Sequence, residues 1–233
     1  MLILSQIPVR FAPAFLPGAR AQHGVSLIEV VIGMVIVGML FALATPSFIG
    51  WIQNSKIRTA AEGMQSGLQL ARAEAVRRNT TVQFALVNNL TSSCAFSATG
   101  TNWIVSQDDA TGKCNIDPDP NALIAPKTVQ KHSSATGGAS TLTVSANEVV
   151  SATGVTANTL PNAIIFNGLG RLASSSNIDA SNEARIDISN PGAGSCVAAG
   201  GSLRCLRVVV TAAGQIRMCD PAPALNGTPQ GCA

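Results

Sequence analysis

The feature that most constrains this chain is an uninterrupted apolar run: residues 30–52 read VVIGMVIVGMLFALATPSFIGWI, 23 residues without one charge. As a helix rising about 1.5 Å per residue it covers roughly 34 Å, against a bilayer hydrocarbon core of about 30 Å. A helix apolar on every face over this length belongs in a membrane or a packed helical assembly rather than in the core of a soluble domain. The order of polarity around the run is not that of an ordinary secretory signal, in which the apolar stretch precedes the cleavage site. Here Arg20, Gln22 and His23 end at Gly24, and the apolar stretch follows. The one charge at its start is Glu29, in Gly24-Val25-Ser26-Leu27-Ile28-Glu29-Val30. A carboxylate at the edge of a hydrocarbon helix is costly unless it is paired, so Glu29 demands a functional account.

At these residues the sequence resembles the type IV prepilins and the related pseudopilins of type II secretion, whose processing site is Gly followed by Phe-Thr-Leu-Ile-Glu. Val25 and Ser26 stand where the family has Phe and Thr. The resemblance implies that a prepilin peptidase cleaves between Gly24 and Val25 on the cytoplasmic side and methylates the new amine of Val25. Glu29 then becomes the fifth mature residue. Its implied role is in assembly, where a neighbouring subunit's positive N-terminal amine stabilises the carboxylate inside a filament core. Pro46 falls at mature position 22, where pilins commonly carry a helix-kinking proline. The implied organisation is a leader at 1–24 and a transmembrane and filament-core helix at 25–52. The resemblance also implies a single-pass protein of the bacterial inner membrane with its head in the periplasm.

Beyond Trp51 the apolar pattern narrows to Ile57, Ala61, Met64, Leu68, Ala71 and Ala75, spacings of three and four that predict an amphipathic helix over 53–79. Arg58 with Glu62, and Glu74 with Arg78, stand four apart and add surface pairs. Asn79-Thr80-Thr81 ends the helix by composition. From residue 80 to 233 the pattern changes to short alternating stretches between Gly, Pro, Asn and Ser, which predicts antiparallel strands. The candidates are residues 82–87, 103–105, 142–144, 163–166, 184–188, 206–210 and 215–218. Residues 112–161 are rich in Ser, Thr, Ala and Gly, so long loops or weak edge strands are expected there.

The helix end Gly67-Leu68-Gln69-Leu70-Ala71-Arg72-Ala73-Glu74-Ala75-Val76-Arg77-Arg78-Asn79 and the later Ile165-Phe166-Asn167-Gly168-Leu169-Gly170-Arg171 resemble the FimT/GspH group. That resemblance implies an α+β, pilin-like fold: a long N-terminal helix packed on an antiparallel β-sheet head with a C-terminal hairpin. It implies a minor component that works with other major and minor pilins or pseudopilins. Two settings remain open. One is a FimT-like minor type IV pilin that helps initiate assembly, and the other a GspH-like pseudopilin of type II secretion with a structural role only.

The last strands allow a closer deduction. Val208-Val209-Val210-Thr211 and Gln215-Ile216-Arg217-Met218 flank Ala212-Ala213-Gly214, a three-residue loop with Gly where a left-handed residue is needed. If Thr211 faces Gln215, Val210 opposes Ile216, Val208 opposes Met218 and Val209 opposes Arg217. One face is then apolar, and the other carries Arg207 and Arg217 as diagonal neighbours. With no acidic residue in either strand, the pair suggests an anion-facing surface. FimT proteins of transformable bacteria are associated with DNA binding through a C-terminal Gly-Arg-x-Arg motif. Here the string is Gly214-Gln215-Ile216-Arg217, so only Gly214 and Arg217 carry over. Arg171, Arg204 and Arg207 are the further candidates for phosphate contacts to double-stranded DNA, which would position a duplex without reading its sequence.

Composition limits the alternatives. Charged residues are 12% and the formal charge is +3, too mild for bulk attraction to nucleic acid. Leader removal takes two of the 15 basic residues and none of the 12 acidic ones, leaving a nearly neutral mature chain. Two histidines, His23 and His132, offer little for a metal site or a triad, and no enzyme motif or cofactor site is expected. The six cysteines, Cys94, Cys114, Cys196, Cys205, Cys219 and Cys232, point to disulfides in an oxidising compartment. Fifteen pairings are possible and sequence does not choose among them. Local closure favours Cys94 with Cys114, Cys196 with Cys205 and Cys219 with Cys232.

Overall fold

The computed structural model describes residues 24–135, 141–149, 156–159, 163–173 and 181–232, with the side chains of 43–47 and 156–159 outside the description. Residues 1–23 of the expected leader, with Arg10 and Arg20, also lie outside the described residues. The chain divides into two units, Met1–Thr45 and Pro46–Ala233.

In the first unit, residues 24–26 have no regular structure and helix α1 (Leu27–Arg78) begins. Its described side chains up to residue 42 are all exposed, large aliphatics included. Among the described residues no helix is long and apolar enough to cross a membrane. The structure therefore gives no span over 25–52. The apolar run there includes 43–47, whose side chains are not described.

In the second unit α1 becomes amphipathic. Ile57, Ala61, Met64, Leu68, Ala71 and Ala75 are each at most 2% exposed and form one seam of the core. These are the six positions that the sequence spacing singles out. Gly67 lies beside the seam: a Cβ there would sit 2.8 Å from the Phe84 ring and 3.0 Å from Trp103, so glycine lets two aromatic rings approach the helix backbone. The helix ends where Asn79 turns left-handed (φ 49°), and the amide of Thr80 donates to the Ala75 carbonyl. Asparagine tolerates that conformation better than most residues.

Among the described residues nine strands form two antiparallel sheets. The first has the order β3-β2-β1-β6, with β1 Val82–Val87, β2 Asn102–Ser106, β3 Thr128–His132 and β6 Ile164–Phe166. The second has the order β5-β4-β7-β8-β9, with β4 Thr143–Val149, β5 Thr156–Thr159, β7 Glu183–Ser189, β8 Leu206–Val210 and β9 Ile216–Cys219. One core cluster joins the α1 seam to Phe84, Trp103 and Phe166 of the first sheet and to Ile186, Ile188, Val208 and Val210 of the second. A smaller cluster on the other face of β1 gathers Ala85, Val87, Ile104, Cys94 and Cys114. Strand β1 is covered on both faces and is buried throughout, which explains its continuous apolar reading.

The middle of the head, where long loops or weak edge strands are expected, holds two edge strands and one interior strand. Strands β3 and β5, which periodicity did not reveal, are edge strands, and polar residues such as Gln130 and Lys131 hide β3 in the sequence. Strand β4 is longer than the expected 142–144 and lies inside its sheet, between β5 and β7. Its continuation through Asn147 and Glu148 reads as loop chemistry. The six cysteines form three disulfides, Cys94–Cys114, Cys196–Cys205 and Cys219–Cys232, which is the local pairing.

Candidate functional site

The processing string is laid out for access. Gly24, Val25 and Ser26 precede the helix, so the Gly24–Val25 bond lies in non-helical chain, and Val25 is 75% exposed. The Ser26 carbonyl accepts from the amides of Glu29 (3.0 Å) and Val30 (3.2 Å), starting α1 one residue later. Glu29 sits in the first helical turn and is exposed. Its negative charge there faces the positive end of the helix dipole. Among the described residues no ion pair engages it.

The C-terminal hairpin has the register expected from its turn: Val210 opposes Ile216, Val209 opposes Arg217 and Val208 opposes Met218. The Thr211 amide donates to the Gln215 carbonyl at 2.9 Å. Gly214 has φ 79°, and a Cβ there would lie 1.9 Å from the Gly170 carbonyl oxygen. The glycine is thus required by the close approach of the β8–β9 turn to the turn after β6. That second turn is tied to the helix, because Arg72 Nε donates to the Gly170 carbonyl at 3.0 Å. The two stretches that carry the FimT/GspH resemblance therefore meet at one corner. Close by in sequence, Arg77 and Arg78 bond Glu74 and hold its carboxyl below the usual range, Arg77 most strongly and partial burial opposing.

The arginine face differs from the sequence expectation. Arg207 faces Asp187 directly across β8 and β7, and Arg207 Nε lies 2.7 Å from the carboxylate. The hairpin itself is free of acids, but its neighbour in the sheet supplies one. Arg204 is likewise paired, at 3.1 Å, with the buried carboxylate of Asp220. Arg217 is exposed on β9, and Arg171 is exposed in the turn beside Gly214. Among the described residues neither has an ion-pair partner. The pairing register thus reduces the expected four-arginine surface to two unengaged charges. Among the described residues no group of three or more His, Cys, Asp or Glu is placed to hold a metal.

The sequence reading did not find the groove between the helix and the stapled C-terminal tail. Trp51, Asn54, Arg58, Arg204, Met218 and Gln230 are among its walls, and it encloses roughly 600 Å³. The Arg204 amide donates to Asn54 Oδ1 at 2.9 Å, closing one end. Its one sequence signal is Trp51, a large aromatic at the end of the uncharged run.

A long helix whose later half packs on an antiparallel two-sheet head is the architecture of a pilin-type subunit. Residues 60–214 match the family model described as Type II transport protein GspH, and residues 19–45 match the Prokaryotic N-terminal methylation motif. The chain belongs to the GspH family. It is a minor pilin or pseudopilin of the type IV pilus and type II secretion group, and its motif implies processing by prepilin peptidase and assembly with other pilin-type subunits. Two crystal structures of the Pseudomonas aeruginosa (strain PAO1) type IV minor pilin FimU overlap it. One has 19% identity and a TM-score of 0.40 over 76% of this chain and 99% of that one. The other has 21% identity and a TM-score of 0.41 over 76% and 95%. The assignment rests on the two family models. No curated protein matches the chain.

Proposed function

We propose that the chain is a FimT-like minor type IV pilin: cleaved after Gly24, methylated on Val25, held in the inner membrane by residues 25–52 and drawn into a filament whose assembly it helps to initiate. The exposed, non-helical Gly24–Val25 bond immediately before the helix carries the reading, because a peptidase must bind extended chain. Exposed Glu29, four residues further on, is free to meet the amine of a neighbouring subunit. Expressed with its partner pilins, the protein is expected in sheared filaments, and Glu29→Leu is expected to lower its incorporation at least tenfold while leaving processing intact. Equal incorporation of Glu29→Leu removes the assembly role from that residue.

A second reading, non-specific contact with double-stranded DNA, is favoured by Arg171 and Arg217, which are exposed and, among the described residues, without acidic partners. Two phosphate contacts give weak, salt-sensitive affinity. In gel shifts at low salt, Arg171→Ala with Arg217→Ala is expected to abolish retardation. Unchanged retardation rejects the site, and none by the wild type rejects the activity. The alternative setting, a type II secretion pseudopilus with a structural role only, predicts loss of protein export without loss of pili when the gene is deleted.

A further inference from the structure

The two ends of the head differ in charge. At one end Arg72 holds the Gly170 turn, Glu74 pairs with Arg77 and Arg78, and Arg78 Nη1 reaches the Pro120 carbonyl at 2.9 Å, next in sequence to exposed Asp119. Strand β7 starts at this end, where Ala184 opposes Val210 just before the turn that meets Gly170. It finishes at the opposite end, where Asn190 Nδ2 donates to Gln53 Oε1 at 2.8 Å. Gln53 stands nineteen residues before Arg72, about 28 Å back along the helix. There the chain turns and β8 starts back from Leu206, so residues 190–205 hang beyond the sheet at the Gln53 end. Strand β9 also ends there, since Cys219 opposes Arg207, and the C-terminal tail follows it.

The loop and the tail at this second end are free of charge. Residues 191–203 read PGAGSCVAAGGSL and residues 221–232 read PAPALNGTPQGC. The carboxylate beside the tail, Asp220, is buried and paired with Arg204. Each segment is held by a disulfide, Cys196–Cys205 and Cys219–Cys232. The loop also turns backbone polar groups on itself: the Val197 amide donates to the Leu203 carbonyl at 2.8 Å, Leu203 to Ser195 at 3.1 Å and Gly201 to Cys196 at 2.9 Å. Val197 is nevertheless 38% exposed. Both ends of the loop are fixed in height, because Asn190 bonds Gln53 and the Arg204 amide bonds Asn54 Oδ1. Those two helix residues follow directly on Phe48, Ile49, Trp51 and Ile52, all exposed. Tryptophan favours the boundary between hydrocarbon and water. A neutral surface whose backbone groups bond one another costs little to bring against lipid.

We infer that this end of the head rests on the phospholipid surface of the membrane that holds the helix, with loop 191–203 and tail 221–232 in the headgroup layer and Val197 at the point of contact. The inference rests on the proposed membrane seating of residues 25–52 and adds a second, peripheral contact to it. One valine among neutral neighbours binds lipid weakly by itself, and the helix supplies the local concentration that keeps it there. The charged end of the head is then turned away from the membrane.

The test uses the full processed chain, reconstituted in vesicles of phosphatidylcholine and phosphatidylglycerol that carry a headgroup-spin-labelled lipid. A small fluorescent amino acid is placed, one variant at a time, at Val197, at Ala224 in the tail and at Leu169 at the charged end, all exposed positions. A non-reducing gel checks that the three disulfides persist. Quenching at 197 and at 224 is expected to be at least threefold stronger than at 169, and a smaller ratio at either position overturns the inference. A photoreactive benzoylphenylalanine at Val197 should cross-link to lipid in membranes prepared without filaments, and a dominant cross-link to another protein overturns it as well. A further label at Leu40, with the quencher deep in the acyl chains, reports on the helix. Strong quenching there beside a failure at 197 leaves the membrane seating standing, whereas none at Leu40 overturns the seating and the inference with it.

Discussion

The two halves of α1 obey different rules within one unbroken helix. Up to residue 42 every described side chain is exposed, among them Leu27, Ile28, Met34, Val35 and Leu40, with no polar face opposite. From Ile57 to Ala75 a single stripe is buried and charged pairs such as Arg58–Glu62 occupy the rest. The later half is complete within this chain, since its apolar atoms already have partners. The earlier half is incomplete, because scattered apolar exposure is ordinary but a continuous exposed apolar rod is not. Its partners are not among the described residues.

Substitution can break this contrast. Leu68→Ala, in the buried stripe, is expected to cost about 2–5 kcal/mol. Ile36→Ala, in the exposed half, should move stability by no more than about 0.5 kcal/mol while lowering filament incorporation. Urea unfolding in detergent with parallel immunoblots of sheared filaments checks both, and equal destabilisation by the two would erase the distinction.

The head depends on staples in a way the exposed helix cannot. Cys219→Ser with Cys232→Ser is expected to lower stability by about 2–4 kcal/mol and to loosen the groove wall that Cys219 helps to form. Thermal melts compare it with wild type. A smaller loss, about 1–3 kcal/mol, is expected of Gly214→Ala, from strain at positive φ and collision with the Gly170 carbonyl. A melt unchanged by Gly214→Ala would contradict the corner contact.

Much of this was legible beforehand, for local reasons. The stripe at 57–75 announces itself because one helix repeats its own period, and the β8–β9 register follows from a glycine placed three residues after Thr211. What stayed hidden is nonlocal. Asp187 lies 20 residues before Arg207 in sequence, and nothing short of the sheet order places them opposite each other. For the same reason the arginine surface looked more basic than it is. Strands β3 and β5 were legible only as weak edge strands somewhere in 112–161, because polar residues such as Gln130 and Lys131 leave no alternating pattern. The groove needs helix, hairpin and tail together.

The smallest expected effect is one of pH. His132 stacks on Trp103, directly opposite it on β2, with ring centroids 5.1 Å apart. Burial pushes its pKa below the ordinary value of 6.5, because the charged form loses water. The unfolded chain therefore takes up the proton first. Stability from this group is full above about pH 6.5 and is lost as pH falls through the folded value. Melting temperatures at pH 7.5 and 5.5 should differ by less in His132→Gln than in wild type, and an equal difference would discharge His132 from the effect.

The central claim is that this chain is a processed filament subunit whose mature form begins at residue 25 of the precursor. Mass spectrometry of the N-terminal peptide, from protein made alongside a prepilin peptidase, tests it most directly. The account predicts a peptide beginning at Val25 and carrying one methyl group on its amine. An intact leader, or any other terminus, would contradict it.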